Sequence, residues 1–250
     1  MKRALTSALA ALVVVSAPAQ LTIVKRRPLA AGGGGTPTYV QSNHNAPGSS
    51  TTCAVSYSSN STAGNLAIYV IRVAAAGRAI SSVTDTQGNT HWTQAAAQDQ
   101  TSDGHGLFVW YAWNINGGAN TVTGTVSGAA ATVRCQVFEY SGVLSTGDPL
   151  DKTVTASSGA AANAAPDSTA TATTTQAKEL VFGAASVGGV QTFTAGNDGN
   201  GHPMTLRQST SAEKIGSEDV TVSATEAAKA TFSLGANDLW TCIVATFKGS

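Results

Sequence analysis

Charge is scarce in this chain. Asp, Glu, Lys and Arg make up 11% of its 250 residues, against roughly 25% in ordinary soluble domains. Fourteen basic side chains balance fourteen acidic ones. No basic stretch is long enough to neutralise a row of phosphates, so nucleic acid is excluded as an expected partner. Cysteine is also sparse: Cys53, Cys135 and Cys242 include no C-x-x-C and stand in no zinc-type spacing with a histidine. They read as structural, with one disulfide pair among the three and one thiol left over. Long apolar runs are missing, and no segment approaches the ~20 apolar residues of a transmembrane helix. No stretch sustains a capped helical period. Familiar catalytic signatures are absent as well: there is no G-x-S-x-G and no H-E-x-x-H. No E-x-D or E-x-E places two carboxylates on one strand face, and Glu218 and Asp219 are adjacent and point to opposite faces. Nothing in the sequence argues for an enzyme.

The first residues set the compartment. Lys2 and Arg3 precede an apolar run at 8–15, and Ala17-Pro18-Ala19 supplies a small-x-small cleavage pattern. Residues 1–19 therefore read as a secretory signal peptide, and the protein as extracellular or periplasmic. Residues 20–37 hold a short strand-like run at 21–24, the cations Lys25, Arg26 and Arg27, and a glycine linker at 32–35. An extended run on a flexible tether can add to a neighbour's sheet edge, so self-association through residues 20–35 is a second expectation.

From residue 38 to 250 the text reads as a single folded domain of short strands broken by Gly, Asn, Asp and Ser. Its second part repeats its first. A-T-V-R-C-Q-V-F-E-Y-S-G (131–142) aligns with D-L-W-T-C-I-V-A-T-F-K-G (238–249), and A-G-N-L-A-I-Y-V (63–70) with A-K-E-L-V-F-G-A (177–184). Two similar half-sheets, over about 50–142 and 165–249, that cannot each bury a face are expected to close on one another. The predicted fold is all-β: a two-layered antiparallel β-sandwich of jelly-roll type built from two similar halves.

V-T-D-T-Q-G-N-T (83–90), Y-A-W-N-I-N-G-G-A-N-T-V-T (111–123), F-E-Y-S-G (138–142), D-P-L-D (148–151) and A-T-F-K (245–248) together resemble a family of uncharacterised secreted bacterial β-sandwich domains. Such domains occur alone or as modules of large surface proteins. The resemblance implies a fold and an extracellular setting, and it carries no catalytic residues.

Three stretches invite a site. At 83–90, Asp85 can accept backbone N–H bonds and Gly88 or Asn89 can take positive φ, which predicts a hairpin turn with Val83 near Trp92. At 195–202, Asn197, Asp198 and Asn200 could line a calcium loop, although one carboxylate falls short of the six to eight oxygens calcium takes. Calcium is the one cofactor for which the sequence offers a place. The four histidines read as surface imidazoles, and Glu139 as reaching solvent near its strand end. Aromatic residues are only 6% of the chain, yet Trp110, Tyr111 and Trp113 fall within four positions. Parity separates Trp110 from Tyr111 and Trp113. If one face is core, the other presents rings for stacking on sugars, with Trp92 nearby. The competing arrangement covers both faces. The function that absorbs most of this is a secreted, non-catalytic module for binding carbohydrate or a cell-surface polymer and for adhesion. A structural subunit of an extracellular matrix or filament is the alternative. A polysaccharide hydrolase or lyase would need carboxylates that converge only in three dimensions.

Overall fold

The computed structural model describes residues 35–210 and 214–250. The segment 1–19 read as a signal peptide, and the tail up to residue 34 with the self-association expected of it, lie outside the described residues. Those described form fifteen strands and no helix. The first half contributes β1 (Thr38–Ser50), β2 (Thr52–Ser56), β3 (Leu66–Val73), β4 (Ile80–Asp85), β5 (Thr93–Gln100), β6 (His105–Ala112), β7 (Thr121–Val126) and β8 (Ala131–Ser141). The second contributes β9 (Leu150–Ser157), β10 (Glu179–Val187), β11 (Phe193–Ala195), β12 (Thr205–Thr210), β13 (Ile215–Val222), β14 (Phe232–Leu234) and β15 (Trp240–Lys248).

Burial along each strand shows which layer it joins. L-A-I-Y-V-I-R-V of β3 and E-L-V-F-G-A-A-S-V of β10 are buried at every position, the mark of a strand covered on both faces. They sit at the centres of two antiparallel five-stranded sheets, ordered β1-β8-β3-β6-β5 and β12-β13-β10-β15-β9. The two sheets face each other across a core that includes Leu66, Ile68, Phe138 and Tyr140 from one half and Leu180, Phe182, Ile243 and Phe247 from the other. Fully burying each such side chain stabilises by about 1.5–3 kcal/mol. By contrast, β2 and β7 alternate buried with more exposed positions, the pattern of a sheet with one wet face. They form a three-stranded sheet, β2-β7-β4, on the outer side of the first half. The two-stranded sheet β11-β14 backs the second half in the same way.

The fold is thus the all-β antiparallel sandwich of jelly-roll type, in two similar halves, that the sequence predicts. The strand order is completed within each half: β9, β15, β10, β13 and β12 repeat β1, β8, β3, β6 and β5. Where the first half has β2, the second has an irregular segment alongside β14, held by Phe232 N to Pro166 O and Ser168 N to Ala230 O. Two outer sheets, β2-β7-β4 and β11-β14, back the five-stranded pair on their far sides, so four sheets stand where the sequence reading expects two layers.

Cys53 on β2 and Cys135 on β8 form the disulfide, tying the outer three-stranded sheet to the inner one. Cys242, which aligns with Cys135, is the leftover thiol; it is buried against the Ala230 carbonyl. The stretch at 83–90 is a turn but not a hairpin. Gly88 takes φ 69°, and Asp85 Oδ1 accepts from Gln87 N and Asn89 N. Yet β4 belongs to the outer sheet and β5 to the inner one, so the chain arches between layers. Trp92 Nε1 donates to Asp85 Oδ2 at 3.0 Å, closing the arch from inside.

Candidate functional site

The aromatic cluster follows the predicted parity. Phe108, Trp110 and Ala112 on β6 pack toward the outer sheet, while Leu107, Val109, Tyr111 and the following Trp113 pack toward the second half. Both faces of β6 are therefore packed against a neighbouring layer, with Tyr111 fully buried and Trp92, Trp110 and Trp113 partly exposed. Tyr111 has no exposed surface. Its hydroxyl donates to Asp148 at 2.8 Å, and burial together with that carboxylate pushes the phenol well above its ordinary value. Trp113 stacks on His91 with centroids 4.4 Å apart and on Tyr111 at 5.8 Å. Trp92 and Trp110 are half-buried against the first-half core. Among the described residues the only exposed large hydrophobics are Val40 and Val190. The second half and the outer sheet occupy the two sides of β6 that the sequence left open.

Polar chemistry gathers elsewhere, at one end of the junction between the halves. A cleft of about 450 Å³ is lined by Arg72, Arg134, Lys214, Asp103 and Asp238, with backbone from Gly104 and Gly188. Strand pairing makes the cluster: Arg72 on β3 and Arg134 on β8 are directly opposed. Like charges directly opposed across a ladder are unfavourable. Lys214, just before β13, joins them from the second half. Arg72 is only 3% exposed. Its Nε donates to Val187 O at 3.1 Å, while Nη1 is buried with no hydrogen-bond partner. Burial and then the nearby Arg134 pull the guanidinium down to about 10. Burial, Arg72 and Arg134 also lower Lys214, whose ammonium donates to Gly188 O.

The two carboxylates of the cleft are engaged. Asp238 accepts from Gly189 N, Gln191 Nε2 and Leu239 N, all within 3.1 Å. Asp103 lies 2.7 Å from His105 Nδ1. His105 is 1% exposed and not the surface imidazole the sequence suggested. Burial and then Arg72 lower it to about 4, so it is neutral near pH 7. Among the described residues, Arg72, Arg134 and Lys214 line the cleft beside two committed carboxylates. Such a site can hold the oxygens of a carboxylate, sulfate or phosphate through the guanidinium fork. Sequence reasoning missed it because its members lie 62 and 80 residues apart along the chain. One signal was available: Arg72 interrupts an otherwise unbroken apolar strand.

The loop at 195–202 does not assemble the predicted calcium set. Asn197 Oδ1 accepts from Gly199 N within the loop, and Asn200 Nδ2 donates to Ala227 O in the connection between β13 and β14. Asp198 is fully buried. Its Oδ1 accepts from Asn200 N and His202 N, and its Oδ2 lies 2.5 Å from His202 Nδ1. Burial would raise the Asp198 carboxyl, but the His202 bond and the backbone N–H groups outweigh it and the group is lowered. The Asp198 bond raises His202, and burial followed by Asp198 raises Glu226.

Other acids are buried too. Glu139, rather than reaching solvent, accepts from Gln41 Nε2, Thr62 N and Asn65 Nδ2 at 2.6–2.7 Å. Glu179 is fully buried beside Asp151, and burial lifts it to about 7. Comparison with protein-family models, curated proteins and solved structures finds no match to this chain.

Proposed function

We propose that this is a secreted, non-catalytic module that binds an anionic carbohydrate or surface polymer at the cleft between its halves. The observation that carries the reading is Arg72, whose Nη1 is buried without a hydrogen-bond partner, in a cleft that Arg134 and Lys214 also line. A buried guanidinium nitrogen without a partner costs stability. An acidic ligand offsets that cost when bound. Secretion rests on the N-terminal signal pattern, and the Cys53–Cys135 disulfide agrees with an oxidising compartment. The resemblance to secreted bacterial β-sandwich domains points the same way. Binding rather than hydrolysis is favoured because in the Asp151–Glu179 carboxyl pair Glu179 is fully buried and Asp151 is tied to Lys152 and Thr175, which leaves no open pair there to flank a glycosidic bond.

The test is adsorption of the purified chain to insoluble acidic polysaccharides (polyuronates, sulfated glycans) and to neutral glucans over a salt series. Retention on the acidic matrices, weakening with salt and falling roughly tenfold or more in an Arg72→Met/Lys214→Ala double variant, is the expected result. Equal retention on neutral glucans, or retention indifferent to the double substitution, contradicts the assignment. Retention on no matrix favours the structural-subunit alternative.

A further inference from the structure

The structure assigns a divalent-metal site of the zinc type to Asp198, His202 and Glu226, at the opposite chemical extreme from the cation cleft and independent of it. Asp198 and His202 flank the loop after β11, and Glu226 comes from the connection between β13 and β14. One donor atom from each lies within 4.8 Å of the other two. His202 Nδ1 is 2.5 Å from Asp198 Oδ2 and 3.5 Å from Glu226 Oε1.

A second observation points to a ligand. An imidazole carries one hydrogen on Nδ1, so it can serve one of the two carboxylates and not both. Glu226 Oε1 is left buried with no hydrogen-bond partner, on a side chain only 11% exposed. A buried acceptor facing a second carboxylate is costly. A cation among the three atoms satisfies all of them at once. The surrounding shell is already in place, with Asp198 Oδ1 held by two backbone N–H groups and Asn200 anchored to Ala227 O.

The donors decide which cation. Calcium and magnesium take oxygen ligands, whereas one imidazole nitrogen with two carboxylates suits zinc and its first-row neighbours. Bonds of about 2.0–2.1 Å in tetrahedral geometry need donors roughly 3.4 Å apart. The Glu226 separation already meets this, and the Asp198 separation must open. His202 can open it, because its side chain is 48% exposed. Three protein donors leave one position toward solvent. The metal would clamp the loop at 195–202 to the segment leading into β14.

The test titrates zinc chloride and, separately, calcium chloride into the tag-free chain by calorimetry, with cobalt(II) absorption reporting coordination geometry. The expected result is one zinc per chain, bound at least roughly tenfold more tightly than calcium, with a higher thermal midpoint when loaded. His202→Ala and Glu226→Gln should each weaken zinc by roughly tenfold or more while retaining the wild-type circular dichroism. Zinc affinity unchanged in both variants, no zinc binding at millimolar concentration, or calcium bound more tightly than zinc would overturn the assignment.

Discussion

Glu218 shows how a single side chain can dictate the pH response of a fold. Its Oε2 accepts from Gly196 N at 2.9 Å, while Oε1 is buried with no partner. Burial is the main cause that lifts its carboxyl to about 8, with Asp219 adding to the effect. Folded chains therefore keep this proton up to about pH 8, whereas unfolded chains release it near the ordinary value of about 4.3. The folded state binds more protons across that window, so stability falls as pH rises through it. Glu179, lifted to about 7, acts in the same direction. Urea unfolding should show wild type losing on the order of a few kcal/mol between about pH 5 and pH 9. In Glu218→Gln most of that slope should vanish, and an unchanged slope would remove Glu218 as its source. None of this was legible in the sequence. Glu218 aligns in the duplicated half with Trp110, and neither residue's neighbours within five positions reveal that it points into a core.

At the scale of elements, the sequence was most informative where a pattern is local. The cysteine strand of each half, the breaks between strands and the parity of Trp110 against Tyr111 all follow from residues next to one another. Partner choice does not. The sequence reading put β4 and β5 in one hairpin because the turn chemistry of Asp85 and Gly88 is that of a hairpin, but the same turn serves an arch between sheets. The alternation of β2 and β7, against the largely apolar text of β3 and β10, was the overlooked sign of outer and inner layers. The disulfide is the covalent form of that layering, since β2 and β8 belong to different sheets and close a loop with a sequence separation of 82 residues. Cys53→Ala/Cys135→Ala should lower unfolding free energy by about 2–5 kcal/mol. The second-half core around Cys242 should persist, which near-native circular dichroism and a still cooperative denaturant transition would check. A loss below 1 kcal/mol would mean that the inner and outer sheets are held by packing alone.

On the scale of the whole molecule, duplication creates the site. Each half completes its own jelly-roll order and still leaves one five-stranded face to bury. The faces meet so that β5 lies against β9 and β1 against β12, a reciprocal arrangement of equivalent strands. The cleft belongs to neither half alone: Arg72 and Arg134 come from one, and Lys214 and Asp238 from the other. A reading confined to local motifs looks for a site among Trp92, Trp110, Tyr111 and Trp113, of which Tyr111 is fully buried and the three tryptophans are partly covered. Hydrogen–deuterium exchange of the chain with and without a soluble polyuronate tests the central claim most directly. New protection at 72–74, 103–104, 132–134, 187–189 and 238–239 is the predicted result. Protection confined instead to 91–93 and 113–115, with the cleft unchanged, would contradict the account and return the binding surface to the aromatic residues.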